Sequence, residues 1–393
     1  MKLLWVKTDF LHPATRGGQI RTLEMLRRLH ARHTVHYVAF EDPAHPEGPA
    51  RAPEYCSFAY PIRYRVAAKN SWAFGAQLLR GLFDPVPVAV SRYRCGAMRR
   101  KIAELTAREY FDSIVCDFLF PTPNMPDLDS CVLFQHNVEW TIWQRHTENA
   151  SDPWRRWYFS MQARRMFAYE GAVCRKVKKL IAVSENDAAI FRKQYGAAAV
   201  APVPTGVDLD YFAPPASPAP TADLVFLGSM DWMANEDAML WFAAEVLPLI
   251  RRARPDCRLA IVGRRPTARI RDLVRDPLIE VTGTVVDVRP WLWGAAVSIV
   301  PLRVGGGTRL KIYEAMAARV PVVSTSVGAE GLDVSPGENI AIGDTAADLA
   351  DRCLALLDSP ARRAQISDAA HRLVATRYSW DAAVRVFEDL LQA

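Results

Sequence analysis

Pro301-Leu-Arg-Val-Gly-Gly-Gly-Thr-Arg-Leu-Lys-Ile-Tyr-Glu-Ala-Met-Ala317 places three glycines, a threonine and a lysine at the head of a helical pattern, with Glu314 one turn further on. Glycines such as Gly306 and Gly307 let a backbone approach a phosphate closely. The N–H groups and positive dipole end of a helix opening at Thr308 would then hold negative charge. Lys311 adds a full positive charge. Glu314, near the same helix face, can accept hydrogen bonds from sugar hydroxyls. The β-prone run Val320-Pro-Val-Val-Ser-Thr325 that follows reads as a strand. The stretch therefore reads as a site for a diphosphate attached to a ribose, that is, a nucleotide-sugar. A bare glycine turn would account for the glycines but not for the lysine and glutamate in register.

Around this stretch, strands and helices alternate. Strands are expected at 224–228, 258–263, 279–282 and 296–301, with helices at 235–251, 270–274 and 288–294 between them. Helices follow at 345–358, 359–375 and 380–391. Before Phe-Ala-Pro-Pro-Ala-Ser-Pro-Ala-Pro (212–220) the same alternation occurs. Strands are expected at 3–8, 34–40, 112–118, 130–135 and 179–184, with helices at 19–31, 97–110, 153–177 and 185–195. Such alternation implies α/β architecture with parallel, doubly wound sheets. Four prolines in nine residues mark a stiff linker. The expected division is therefore an N-terminal domain over 1–211, a linker over 212–221, a nucleotide-sugar-binding domain over 222–375, and a C-terminal helix over 376–393 returning towards the first domain. Ligands of such sheets sit beyond the carboxyl ends of the strands.

Composition narrows the class. The chain has 393 residues, enough for about two domains, and half of them are apolar. No run of 18 apolar residues occurs, so no spanning helix is expected. Met1-Lys-Leu-Leu-Trp-Val-Lys7 is charged too early for a signal peptide. Seven scattered cysteines without a Cys-x-x-Cys argue for reduced thiols in a cytosol, and against a disulfide frame or a zinc site. The net charge of +6 is unevenly spread: residues 1–210 carry 29 Lys/Arg and 21 Asp/Glu, the remainder 20 and 22. Much of the basic excess lies in 154–179, where Arg155, Arg156, Arg164, Arg165, Arg175, Lys176, Lys178 and Lys179 meet one acid, Glu170, with Trp154, Trp157, Tyr158, Phe159 and Phe167 interleaved. Nucleic acid or an anionic membrane surface could use this segment. A solvated helix with a buried aromatic face is the plainer reading.

Several pieces, in this order and spacing, resemble glycosyltransferase family 4. They are Gly17-Gly18, Phe134-Gln-His-Asn-Val-Glu139, Ile181-Ala-Val-Ser-Glu185, Val203-Pro-Thr-Gly-Val-Asp-Leu-Asp-Tyr-Phe212, Phe226-Leu-Gly-Ser-Met230, the 301–317 stretch and Tyr378-Ser-Trp380. The resemblance covers nearly the whole chain. It implies a glycosyltransferase-B fold, two Rossmann-like domains facing across a cleft. It further implies hexosyl transfer from a nucleotide-sugar donor to a glycan or lipid-linked acceptor, with retention of configuration and without a metal or other cofactor. It assigns catalytic roles to His136, Arg303 and Lys311, and donor-binding roles to Gly17, Gly18, Gly228, Ser229, Gly306, Gly307, Thr308 and Glu314.

The chain departs from that pattern. Many relatives carry an arginine and a lysine where this chain has Ser229 and Ala234. The first of the family's paired glutamates is replaced by Gly306. Arg303 and Lys311, with Arg309 behind them, are the cations expected to compensate. Asp127-Leu-Asp129 and Asp208-Leu-Asp210 look like metal-holding pairs but read better as turn and helix caps. The expected enzyme is cytoplasmic and could sit peripherally on the inner membrane face; no nucleic-acid partner is expected. Two rival readings remain: a nucleotide-sugar epimerase of the same fold, and a non-catalytic basic protein that binds membrane or nucleic acid.

Overall fold

The structure is a computed structural model that describes residues 1–392 except 15–16, 67–71, 149–151, 231 and 305–309, and leaves out the side chains of 73, 74, 76, 80 and 145. The chain forms two compact units, Met1–Pro204 with Ala383–Ala393, and Thr205–Ala382.

The first unit is a seven-stranded sheet of β1 (Lys2–Val6), β2 (Thr34–Glu41), β3 (Phe58–Arg63), β4 (Ser113–Asp117), β5 (Cys131–Gln135), β6 (Lys179–Ala182) and β7 (Val200–Pro202). Its order is β3-β2-β1-β4-β5-β6-β7, and every pairing is parallel. Helices such as Gly17–His30, Glu139–Glu148 and Pro153–Lys176 connect the strands. The central strands read as continuous apolar runs because parallel sheets are covered on both faces; all five residues of β5 are buried. The sheet grows to one side from β1 and then to the other from β4, so the strand order reverses between these two.

The second unit repeats the plan with β8 (Ala222–Leu227), β9 (Leu259–Val262), β10 (Ile279–Gly283), β11 (Ala295–Val300), β12 (Val322–Ser324) and β13 (Ala341–Ile342). Its order is β10-β9-β8-β11-β12-β13, again all parallel, with the reversal between β8 and β11. Helix Leu310–Ala317, the helix of the 301–317 stretch, lies between β11 and β12 and buries Ile312, Tyr313, Ala315 and Met316.

The structure differs from the sequence reading in several places. Edge strand β3 gave no signal, because it contains Pro61 and exposes most of its side chains; proline is confined to such edges. The expected helix at 270–274 is a short α-turn, Ala268–Arg271, continued as a 3₁₀ turn, Asp272–Arg275. The Pro-rich stretch 212–221 is not the crossing between units. Phe212 is buried in the second unit's core, Trp293 Nε1 donates to the Phe212 carbonyl (2.8 Å), and the Thr221 N–H donates to the Gly294 carbonyl (2.9 Å). Proline limits ladder donors but does not prevent a strap from docking. The chain crosses at Pro204–Thr205, and again inside helix Trp380–Gln392, whose residues from Ala383 belong to the first unit. There Phe387 packs against Trp5 and Phe134, with ring centroids 5.6 and 5.2 Å away.

Candidate active site

In the first unit a polar cluster is buried at the carboxyl ends of β1, β4 and β5. Asp117 ends β4, Lys7 follows β1 and His136 follows β5. One Asp117 oxygen accepts from Lys7 Nζ (3.0 Å), Trp5 Nε1 (2.9 Å) and Thr22 Oγ1 (2.7 Å). The other pairs with His136 Nε2 (2.8 Å). Arg21 Nη1 lies 3.2 Å from His136 Nδ1. An ionised carboxylate can only accept and a guanidinium can only donate, so the arrangement fixes the imidazole as the neutral tautomer with its proton on Nε2. Burial pushes His136 down to about 3 despite Asp117, and Lys7 and His136 hold the Asp117 carboxyl well below its ordinary range against its own burial. Phe118 stacks on His136 with centroids 3.9 Å apart; its backbone is left-handed (φ 73°), a conformation that a bulky residue keeps only when its surroundings impose it. The resemblance gave His136 a catalytic role. Its imidazole is enclosed, with both nitrogens and one ring face engaged.

Gly17 and Gly18 open helix Gly17–His30 beside this cluster. A side chain at Gly18 would meet the Phe118 ring at 2.7 Å, so only glycine allows the helix end to come this close; Gly17 has open space around it. Glu139 begins helix Glu139–Glu148, and its side chain is buried near Glu170. Glu170 accepts from Gln135 Nε2 (3.0 Å), the N–H groups of Glu139 (2.9 Å) and Trp140 (3.1 Å), and the Tyr195 hydroxyl (2.7 Å). Burial raises Glu170 to about 7 and, together with the Glu170 charge, raises Glu139 to about 8. Glu170 thus holds the Gln135 side chain before His136 and the backbone that opens the helix after it.

In the second unit a second cluster surrounds Gly228, just beyond β8. Lys311 Nζ donates to Asn235 Oδ1 (3.0 Å) and lies 4.2 Å from the Phe226 ring centroid. A Cβ on Gly228 would meet Asn235 Nδ2 at 2.7 Å and Lys311 Nζ at 2.9 Å, so glycine lets the ammonium reach the strand end. Asn235 Nδ2 in turn donates to the Ser229 carbonyl (2.8 Å). Glu314 is half-buried one turn beyond Lys311; burial raises its carboxyl while Lys311 opposes the shift. Arg303 follows β11 but is held by Asp237 through two bonds (3.1 and 2.6 Å) and lies over Trp241. Asn235 and Asp237 are two residues apart on helix Met233–Trp241 and so face different ways. Lys311 and Arg303 are therefore anchored separately rather than as one cation pair. Gly306, Gly307 and Thr308, and Arg309 behind them, lie outside the described residues.

Two family models match the chain: Glycosyltransferase Family 4 over residues 15–211, and Glycosyl transferases group 1 over 221–359. The chain belongs to glycosyltransferase family 4. It is similar to an uncharacterised 44.6 kDa protein in the cps region of Klebsiella pneumoniae, at 21% identity with 87% of each chain covered. It is also similar to D-inositol 3-phosphate glycosyltransferase 2 of Catenulispora acidiphila, at 28% identity over 56% of this chain and 57% of that one. The matches to the named transferases span 50–58% of those relatives' lengths. Among solved structures, Anabaena HepE in complex with UDP and glucose covers 100% of both chains with a TM-score of 0.64 at 14% identity, which establishes the shared fold. This family 4 member is thus a glycosyltransferase of the glycosyltransferase-B type, a class that transfers sugar from nucleotide-sugar donors.

Several residues of these clusters were absent from the sequence reading. Asp117 and Lys7 could have been found as charges at the carboxyl ends of buried strands. Arg21, Thr22 and Asn235 carry no sequence signal beyond helical spacing. The two Asp-x-Asp strings serve local turns: Asp127 accepts from the Asp129 N–H (3.0 Å) and Asp208 from the Tyr211 N–H (2.9 Å).

Proposed function

We propose that this glycosyltransferase is a retaining, metal-independent hexosyltransferase that passes a sugar from a nucleotide-sugar to a glycan or lipid-linked acceptor. The observation that carries the reading is the Lys311 ammonium set against Gly228 at the carboxyl end of β8, beside the point where the strand order reverses. Nucleotides bind such sheets at that edge. There a fixed ammonium would stabilise the charge that develops on a departing nucleoside diphosphate. Glu314, one helical turn on, would accept the ribose hydroxyls. Membership of the family supports the remaining assignments. The D-inositol 3-phosphate and phosphatidylinositol mannoside transferases among the relatives support hydroxyl acceptors, soluble or lipid-linked.

The first unit supports an encounter with an anionic membrane surface. Trp154 and Trp157 are 80% and 53% exposed, and Arg155, Arg156 and Arg164 are exposed on the same helix, Pro153–Lys176. Phe83, 89% exposed, adjoins the Gly81 and Leu82 carbonyls that accept from Arg165. Among the described residues no helix is long and apolar enough to cross a membrane.

Incubation with UDP-, GDP- and ADP-hexoses in the presence of EDTA tests the assignment. The expected result is slow donor hydrolysis to nucleoside diphosphate and sugar of retained configuration, lost in Glu314→Ala along with nucleoside diphosphate binding. Inverted sugar, C2 epimerisation or a requirement for divalent cation would overturn it.

A further inference from the structure

Ser229 and Ala234 leave the β8 edge without the cations usual in the family, and Arg303 is committed to Asp237. We propose that Arg264 is the guanidinium that grips the donor diphosphate in this chain. The inference rests on the nucleotide-sugar reading above.

Arg264 follows β9, the strand hydrogen-bonded beside β8, so its backbone emerges at the same carboxyl edge as Gly228. The two strand ends are tied together: the Gly228 N–H donates to the Val262 carbonyl (3.0 Å) and the Met230 N–H to the Arg264 carbonyl (2.9 Å). The side chain turns back over this junction, and its Nε donates to Ser229 Oγ (2.9 Å). A small hydroxyl residue at 229 is therefore what allows an arginine from the neighbouring strand to occupy the region over that strand end. Tethering through Nε leaves the four N–H bonds of the two terminal nitrogens for another acceptor. Arg264 is exposed, and no carboxylate pairs with it among the described residues, in contrast to Arg303.

Lys311 reaches the same two-residue step from the other side, with its ammonium against Gly228. An ammonium and a guanidinium thus converge on Gly228–Ser229. One is a point charge and the other a planar fork suited to two phosphate oxygens at once. A diphosphate fits this pair, whereas a single carboxylate would use only half of it.

Calorimetry with UDP, GDP and ADP, each beside its own nucleoside, tests the proposal. For the diphosphate that the parent binds best, Arg264→Ala and Arg264→Gln should both weaken binding about ten- to a hundredfold, the range for hydrogen bonds to charged groups, and leave nucleoside binding unchanged. Adding Ser229→Arg to Arg264→Ala should restore most of the lost affinity. A merely structural Arg264 predicts something else: the glutamine variant, able to keep the bond to Ser229, would bind diphosphate like the parent, or diphosphate and nucleoside would weaken together. Either result overturns the assignment. A parent chain that binds none of the three diphosphates removes the nucleotide reading itself, an outcome distinct from a binding parent with an unaffected Arg264 variant.

Discussion

His136 keeps a neutral imidazole because each ring nitrogen has a partner of fixed character, Asp117 as acceptor and Arg21 as donor. A proton has no place to bind until one partner leaves. Burial of the ring, with Arg21 and Lys7 nearby, lowers His136 from its ordinary 6.5 to about 3 in the folded chain. Between these values the unfolded state binds more protons, so stability falls as pH drops. In His136→Gln, the unfolding free energy should decline less steeply than in the parent between pH 6.5 and 4.5, by up to about 1.4 kcal/mol per pH unit. Urea titrations at several pH values would read this difference, and parallel slopes would show that His136 titrates normally. The position of His136 was legible, because an apolar run ending in histidine marks a strand end. Its enclosure was not: Asp117 and Phe118 stand at the end of β4 and Arg21 on helix Gly17–His30, and only the register β1–β4–β5 brings them to His136.

At the scale of one element, helix Pro153–Lys176 shows where sequence pattern stops. Its basic and aromatic residues were plain, but aromatic rings at helical spacing look the same whether they face a core or water. The structure separates them. Phe167 packs on Trp140 and Tyr195, Phe159 on Trp143, and Trp154 and Trp157 face outwards. The arginines divide as well, because Arg165 binds backbone carbonyls of the 81–82 turn and is structural. The informative variant is Arg155→Glu with Arg156→Glu and Arg164→Glu. Near an anionic bilayer each arginine contributes about 1 kcal/mol. The parent should sediment with phosphatidylserine-containing vesicles at low salt and not with phosphatidylcholine alone. The triple variant should stay in solution yet still hydrolyse a soluble donor. A parent indifferent to both vesicle types would leave the helix as a solvated face.

For the whole molecule, two doubly wound sheets were legible because both halves alternate strand and helix and a proline-rich stretch falls between them. The true crossings were not. Composition marks where regular structure stops, whereas Phe212 and Thr221 show that the prolines belong to the second unit. The return helix was expected, but its hold on the first unit depends on buried contacts. Phe387 is fully buried between Trp5 and Phe134, Glu388 bonds Arg32 and His33, and Lys179 Nζ donates to the Leu390 carbonyl. Phe387→Ala should cost about 3–5 kcal/mol, measured as a lower denaturant midpoint for the first unit. A loss below about 1 kcal/mol would mean the helix is a loose appendage.

The double crossing also sets an order of events on the ribosome. Domains ordinarily fold as they emerge, the earlier before the later. Here the strands of the first unit are synthesised first, but the residues that close over Trp5 and Phe134 follow the whole of the second unit. The unit begun first is finished last. Until then Trp5 and Phe134 lack the ring that covers them in the finished unit.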